Sequence, residues 1–170
     1  MTYIVNENKL IEKEIVSGVS YSKNESKITI SGIPDKPGIS AIIFGLMASN
    51  NINVDMIVQN ISQDGVSANM TFTVLTKDIE LAKKTLERNN NELNYTNLST
   101  DSNIAKISVI GMGMMSQSGV AEKMFKTLAD KQINILAIST SEIKISVLID
   151  KKYTDLAVKT LHSVYKLGNK

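Results

Sequence analysis

An internal repeat constrains this chain more than any other feature: residues 28–62 lie over residues 107–143 once a two-residue difference is allowed before the glycine. Gly38 then stands over Gly119, Phe44 over Phe125, Ala48 over Ala129, and Ile52-Asn53 over Ile133-Asn134. A match of that length and order is not chance. Two similar units must each bury a core of their own, and 170 residues leave room for two very small domains and little else.

Each copy opens on alternating apolar residues, Ile28 and Ile30 in the first and Ile107 and Val109 in the second, which is a strand signal. A turn-rich loop ending in glycine follows, and then a helical stripe: Ile39, Ile42, Ile43, Leu46 and Met47, or Val120, Met124, Phe125, Leu128 and Ala129. These stripes are core rather than a cofactor box. Residues 52–61 and 66–75 read as strands joined by the turn Ser62-Gln63-Asp64-Gly65, residues 79–88 as a second helix and 95–100 as a last strand. The order βαββαβ predicts an α+β, ferredoxin-like unit, two helices over a four-stranded antiparallel sheet. The second copy offers strands at 106–110, 133–139 and 143–149 and helices at 119–131 and 154–165, but no fourth strand. Residues 15–21 are strand-like and no element of the first copy requires them, so this N-terminal strand is expected to complete the second sheet. The expected division is residues 22–101 as one unit, 15–21 with 102–168 as a discontinuous second, and 1–14 as an extension.

Composition removes several function classes. Hydrophobic residues make up 42% of the chain, yet no apolar run approaches the roughly 18 to 20 residues of a membrane helix, and the N-terminus lacks a signal-peptide pattern. With no cysteine there is neither a disulfide nor a thiolate metal site. A cytoplasmic protein without membrane partners is expected. Net charge is +2 with lysines scattered among acids, so no basic stripe marks a nucleic-acid partner. The RNA-binding modules that share this element order stack bases on central-strand aromatics, and the central strands of the first unit have only Phe72 to offer. The single histidine, His162, sits in a helical pattern and fits a surface or half-buried role better than catalysis. Paired carboxylates such as Asp55 and Glu142 have no nucleophile, metal cluster or phosphate-cradling glycine motif beside them, which disfavours an enzyme acting alone.

Three segments together resemble the C-terminal regulatory region of bacterial aspartokinases: Gly32-Ile33-Pro34-Asp35-Lys36-Pro37-Gly38, residues 51–60 (NINVDMIVQN) and residues 133–143 (INILAISTSEI). The likeness covers residues 15–168, and its specificity lies in their order and separations. It implies a pair of ACT domains that bind an amino-acid effector, lysine alone or lysine with threonine, and mediate feedback inhibition of aspartate-pathway biosynthesis. In several bacteria this region is also made separately, as a small beta subunit that pairs with the full-length alpha subunit of the kinase. No cofactor is implied, because ATP and aspartate belong to the kinase half, of which nothing is seen here; this chain alone is not expected to phosphorylate aspartate. A homodimer, with effector sites at the interface between ACT units, is the implied assembly. An ACT pair serving another amino-acid enzyme is the alternative.

An amino-acid ligand needs acceptors for its ammonium and donors for its carboxylate. The N–H groups of Gly38, Ile39 and Ser40 lie at the predicted start of a helix, where unpaired donors and the helix dipole favour a carboxylate. Asp35 or Asp55 could meet the ammonium, and the Gln59 amide can donate and accept. Each also has a plain structural reading: Asp35 as a turn or cap residue, Pro37-Gly38 as loop punctuation, Asp55 and Gln59 as surface positions. By the resemblance, effector positions fall on Asp35, Lys36, Pro37, Gly38, Ile39, Ser40, Asp55 and Gln59 in the first unit. In the second they fall on Val120, Ala121, Asn134, Ile135, Ser141 and Glu142. Ser62 and Thr71 lie where the family acquires insensitivity to feedback. Glu142 is a counter-charge for a second ammonium and favours lysine. The loop Gln117-Ser118-Gly119-Val120-Ala121 departs from a common His-Pro-Gly form, which weighs against threonine co-regulation.

Overall fold

The structure, a computed structural model, describes residues 16–112 and 118–167. The elements run β1 (Val16–Ser22), β2 (Glu25–Pro34), α1 (Ile39–Ser49), β3 (Val54–Ile61), β4 (Ser67–Leu75), α2 (Ile79–Arg88), a single-turn α3 (Asn90–Leu93) and β5 (Asn97–Asp101). They continue with β6 (Ile104–Gly111), α4 (Ser118–Asp130), β7 (Ala137–Thr140), β8 (Lys144–Asp150) and α5 (Thr154–Val164). One compact unit is Asn24–Ile104, called the first unit below; the second takes the chain up to Lys23 and from Ala105 onward.

Each unit has one four-stranded sheet, in the order β3-β4-β2-β5 in the first and β1-β6-β8-β7 in the second. The orders are the same once β1 is taken as the fourth strand of the second unit. β1 runs antiparallel to β6, with Ser20 opposite Ser108 and Tyr21 opposite Ile107. The N-terminal strand therefore completes the second sheet, as the repeat implied, and the two units are α+β and ferredoxin-like.

The cores follow from side-chain period. In the first unit Ile28, Ile30, Met70, Phe72 and Val74 alternate onto one sheet face and meet Ile39, Ile43 and Met47 of α1 and Ala82 and Leu86 of α2. Phe72 is fully buried and meets Phe44 edge-on at 5.4 Å between ring centroids, so this strand aromatic is closed to a nucleobase. In the second unit Ile107, Val109, Ile145, Val147 and Ile149 meet Met124, Leu128, Ala157 and Leu161. Each Val, Leu, Ile, Met or Phe among them contributes about 1.5–3 kcal/mol on full burial.

Both repeat helices end alike. After α1, Asn51 takes a left-handed φ of 55°, Asn51 N–H bonds Ala48 O at 3.1 Å, and Ile52 N–H bonds Met47 O at 2.9 Å. After α4, Gln132 takes φ 56°, Gln132 N–H bonds Ala129 O and Ile133 N–H bonds Leu128 O, each at 2.9 Å. These are Schellman closures, and the following Ile52 or Ile133 drops into the core beneath the helix. This closure shortens β7 relative to the 133–139 expected from the sequence. Ile133 N–H is used by the helix end, Leu136 N–H meets Leu148 O at 2.8 Å, and regular pairing begins at Ala137 opposite Leu148. Among the described residues no helix is long and apolar enough to cross a membrane.

Candidate functional site

Two glycines shape the path from β2 into α1, one late in the strand and one at the helix start. Gly32 has φ 69° and donates its N–H to Asn69 Oδ1 at 3.1 Å, within an irregular stretch of β2 between Ile30 and Ile33. Gly38, with φ 97°, is the N-cap of α1, and Ile42 N–H reaches its carbonyl at 3.1 Å. No side chain caps this helix start, and its first turn carries no acidic residue. The opening amides therefore remain directed outward as donors with the positive end of the helix dipole behind them, an arrangement that suits a carboxylate. Asp35, Lys36, Pro37 and Gly38 are exposed around it, while Asp35 N–H is held by Val66 O at 3.0 Å. Ile39 is buried, so it can offer a ligand only its main chain.

Ser40, on the first turn of α1, donates its hydroxyl to Gln59 Oε1 on β3 at 3.2 Å. Gln59 owes its position to a bulge. Asp55 pairs with Thr73, but Val58 already pairs with Thr71, so Met56 and Ile57 face the single residue Phe72, and Met56 takes φ 36°. The extra residue reverses the phase of the strand. Gln59 falls opposite Met70 on the helix-covered face, whereas Asp55 falls opposite Thr73 on the other face. The structure thus brings Ser40 and Gln59 together beside the helix start and sets Asp55 apart from them.

Ser62 and Thr71 are both half-buried. Ser62 closes the β3–β4 hairpin, its N–H bonded to Ser67 O at 2.8 Å. Inside that turn Asp64 accepts from Val66 N–H and Ser67 N–H at 2.9 Å each and from Ser67 Oγ at 2.8 Å. These bonds, the one from Val66 N–H foremost, hold its carboxyl below the usual carboxylate range. Thr71 Oγ1 lies 3.3 Å from Thr29 Oγ1, and Ser108 and Ser146 repeat that hydroxyl pair in the second unit at 2.6 Å.

In the second unit the predicted residues are more dispersed. Ser141 Oγ accepts from the N–H groups of Ile143 and Lys144 at 3.3 and 3.2 Å, and Ser141 N–H bonds Lys144 O at 2.8 Å. It therefore closes the β7–β8 turn, at whose tip Glu142 is exposed. Asn134 is exposed and Ile135 packs against the core. Val120 and Ala121 are half-buried on the first turn of α4, and Tyr165 Oη donates to Val120 O at 2.6 Å. Burial pushes the Tyr165 hydroxyl up to about 12. Sequence reasoning missed Tyr165; the available signal was one aromatic just beyond the apolar stripe of α5. Gln117 lies outside the described residues. An open groove of about 600 Å³ between α4 and α5, lined by Lys131, Leu156 and Lys159 among others, contains none of the predicted positions.

Residues 22–89 and 107–165 match the ACT domain family, one stretch for each unit. Solved aspartokinase alpha and beta subunits include a chain 42% identical to this one, with a TM-score of 0.82; the match covers 89% of the present chain and 99% of that one. This chain belongs to the ACT-domain regulatory region of the aspartokinases. The regulatory subunit of the Thermus thermophilus aspartate kinase, in its ligand-free form, is 35% identical with a TM-score of 0.83, again over 89% and 99% of the two chains. The Helicobacter pylori aspartokinase is 50% identical over 157 residues, which are 92% of this chain and 38% of that protein. The chain thus spans less than two fifths of that full-length aspartokinase. Within the aspartokinase regulatory region, the first-unit junction of Gly38, Ser40 and Gln59 is the most completely assembled candidate for an effector contact.

Proposed function

We propose that this chain is the effector-sensing module of an aspartate kinase and that its effector is lysine. The observation that carries the reading is the Ser40–Gln59 pair beside a helix start that no side chain caps, in a chain 42% identical to an aspartokinase subunit. The outward amides of α1 receive the effector carboxylate, and Gln59, already oriented by Ser40, supplies a second polar contact. Asp35 stands in the loop leading into α1, whereas Asp55 faces the other side of the sheet, so Asp35 is assigned to the ammonium. Within the second unit, exposed Glu142 offers a counter-charge to the side chain of a lysine held there, whereas threonine has no second ammonium to match.

The module works as a homodimer joined to catalytic chains, and lysine acts by preferring one packing of the regulatory chains over another. Edge strands β3 and β7 expose Ile57, Ile61 and Ile138, which supports pairing with another chain. The test is reconstitution with an aspartate kinase catalytic chain. Lysine should lower the rate of aspartate phosphorylation only when this chain is present. A rate equally insensitive to lysine with and without it would reject the reading.

A further inference from the structure

The first unit ties the opening turn of α1 to β3 through Ser40 and Gln59. The repeat puts Ala121 where Ser40 stands, and alanine has no proton to donate. The second unit holds its corresponding turn by another route, the 2.6 Å hydrogen bond from Tyr165 Oη to Val120 O.

Tyr165 is itself firmly placed. Its N–H bonds Leu161 O at 3.1 Å, and the chain closes α5 through Lys166 at φ 57°, with Lys166 N–H on Ser163 O at 3.0 Å and Leu167 N–H on His162 O at 2.9 Å. The ring packs against the core of its unit, and Lys123 Nζ lies 5.5 Å from its centroid. A carbonyl has two lone pairs, so Val120 O can keep its helical partner while it accepts the hydroxyl. The hydroxyl is thus dispensable for the secondary structure of α4 and for burial of the ring. It fixes where the first turn of α4 sits.

We propose that Tyr165 is a positioning residue for the second unit's effector contacts: its hydroxyl holds the turn bearing Val120 and Ala121 against the end of α5 and couples effector binding there to the C-terminal helix. This rests on the assignment of Val120 and Ala121 to the effector, in keeping with the function proposed above. The two units would then respond through different partners, the first through an edge strand and the second through its last helix.

The experiment uses the full chain carrying Tyr165→Phe, which keeps the ring and removes only the donor. Amide exchange is followed at Met124 and Phe125, whose helical acceptors are the first-turn carbonyls, and at their repeat counterparts Ile43 and Phe44. Exchange at Met124 and Phe125 should quicken about three- to tenfold, the worth of a hydrogen bond of ordinary net strength, with Ile43 and Phe44 unchanged. Lysine affinity should fall by a similar factor, and 4-aminophenylalanine at position 165, which restores a donor, should recover both. Unchanged exchange at Met124 and Phe125 would overturn the tie; faster exchange with unaltered lysine affinity would overturn its link to the effector. If the wild-type chain binds neither lysine nor threonine, the functional reading fails, and the exchange comparison still decides whether Tyr165 positions the helix.

Discussion

Ser40 Oγ lies 3.2 Å from Gln59 Oε1, joining the first turn of a helix to an edge strand across nineteen positions of sequence. Both side chains keep solvent access, so the bond contributes little to stability, and its consequence is orientation of the Gln59 amide. Ser40→Ala and Gln59→Ala should each leave unfolding within about 0.5 kcal/mol of wild type. Each should weaken lysine binding about three- to tenfold, and the double variant should lose less than the sum of the two losses. Titration of the four proteins with lysine checks this; additive losses would show that the two residues act independently.

Gly32 near the end of β2 and Gly38 at the start of α1 should differ in their tolerance of alanine. A Cβ on Gly32 would stand 2.6 Å from Thr96 Cβ and 3.3 Å from Thr96 N at a φ of 69°, so Gly32→Ala should cost about 2–4 kcal/mol from clash and backbone together. A Cβ on Gly38 would meet nothing within 4 Å, leaving only the left-handed φ to resist it, and Gly38→Ala should cost about 1–2 kcal/mol. Urea unfolding of both variants gives the comparison.

The Schellman closures carry non-glycine residues in the left-handed region, Asn51 after α1 and Gln132 after α4. Asparagine visits that region readily and glutamine does not. Gln132→Gly should therefore raise stability by about 0.5–1 kcal/mol, and Asn51→Gly by less. Thermal unfolding of the two variants measures the difference, and a destabilised Gln132→Gly would contradict it.

The pH dependence should differ at the two extremes. The folded pKa of Asp64 lies below the ordinary carboxylate value of 3.8, so its turn bonds add stability that is present above that value and fades as pH falls through the folded pKa. Asp64→Asn should flatten the acid limb of a stability profile. Tyr165 is shifted the other way, from 10.0 to about 12. Its contribution is full below pH 10 and is lost as pH rises through about 12, so Tyr165→Phe should flatten the alkaline limb.

Much of the architecture was legible because it rests on local periodicity. The alternation in β2 and β6, the stripes of α1 and α4, and the spare strand that became β1 all follow from which residues must be buried. The bulge in β3 was not, because pairing Asp55 with Thr73 and Val58 with Thr71 is settled by β4 and by the left-handed Met56, and neither leaves a mark on the spacing of β3 itself. That one insertion decides why Gln59 reaches Ser40 while Asp55 faces away. The role of Tyr165 was hidden for a similar reason: a hydroxyl bound to a main-chain carbonyl 45 residues away is specified by how two helices pack and by no side chain at the receiving end.

The most direct test of the central claim is calorimetric titration of the purified chain with lysine, repeated with threonine and with each in the presence of the other. Saturable lysine binding that is weakened in Ser40→Ala and Gln59→Ala is the predicted result. Absence of binding by both amino acids, in a chain shown by its unfolding transition to be folded, would contradict the assignment of this module as a lysine sensor.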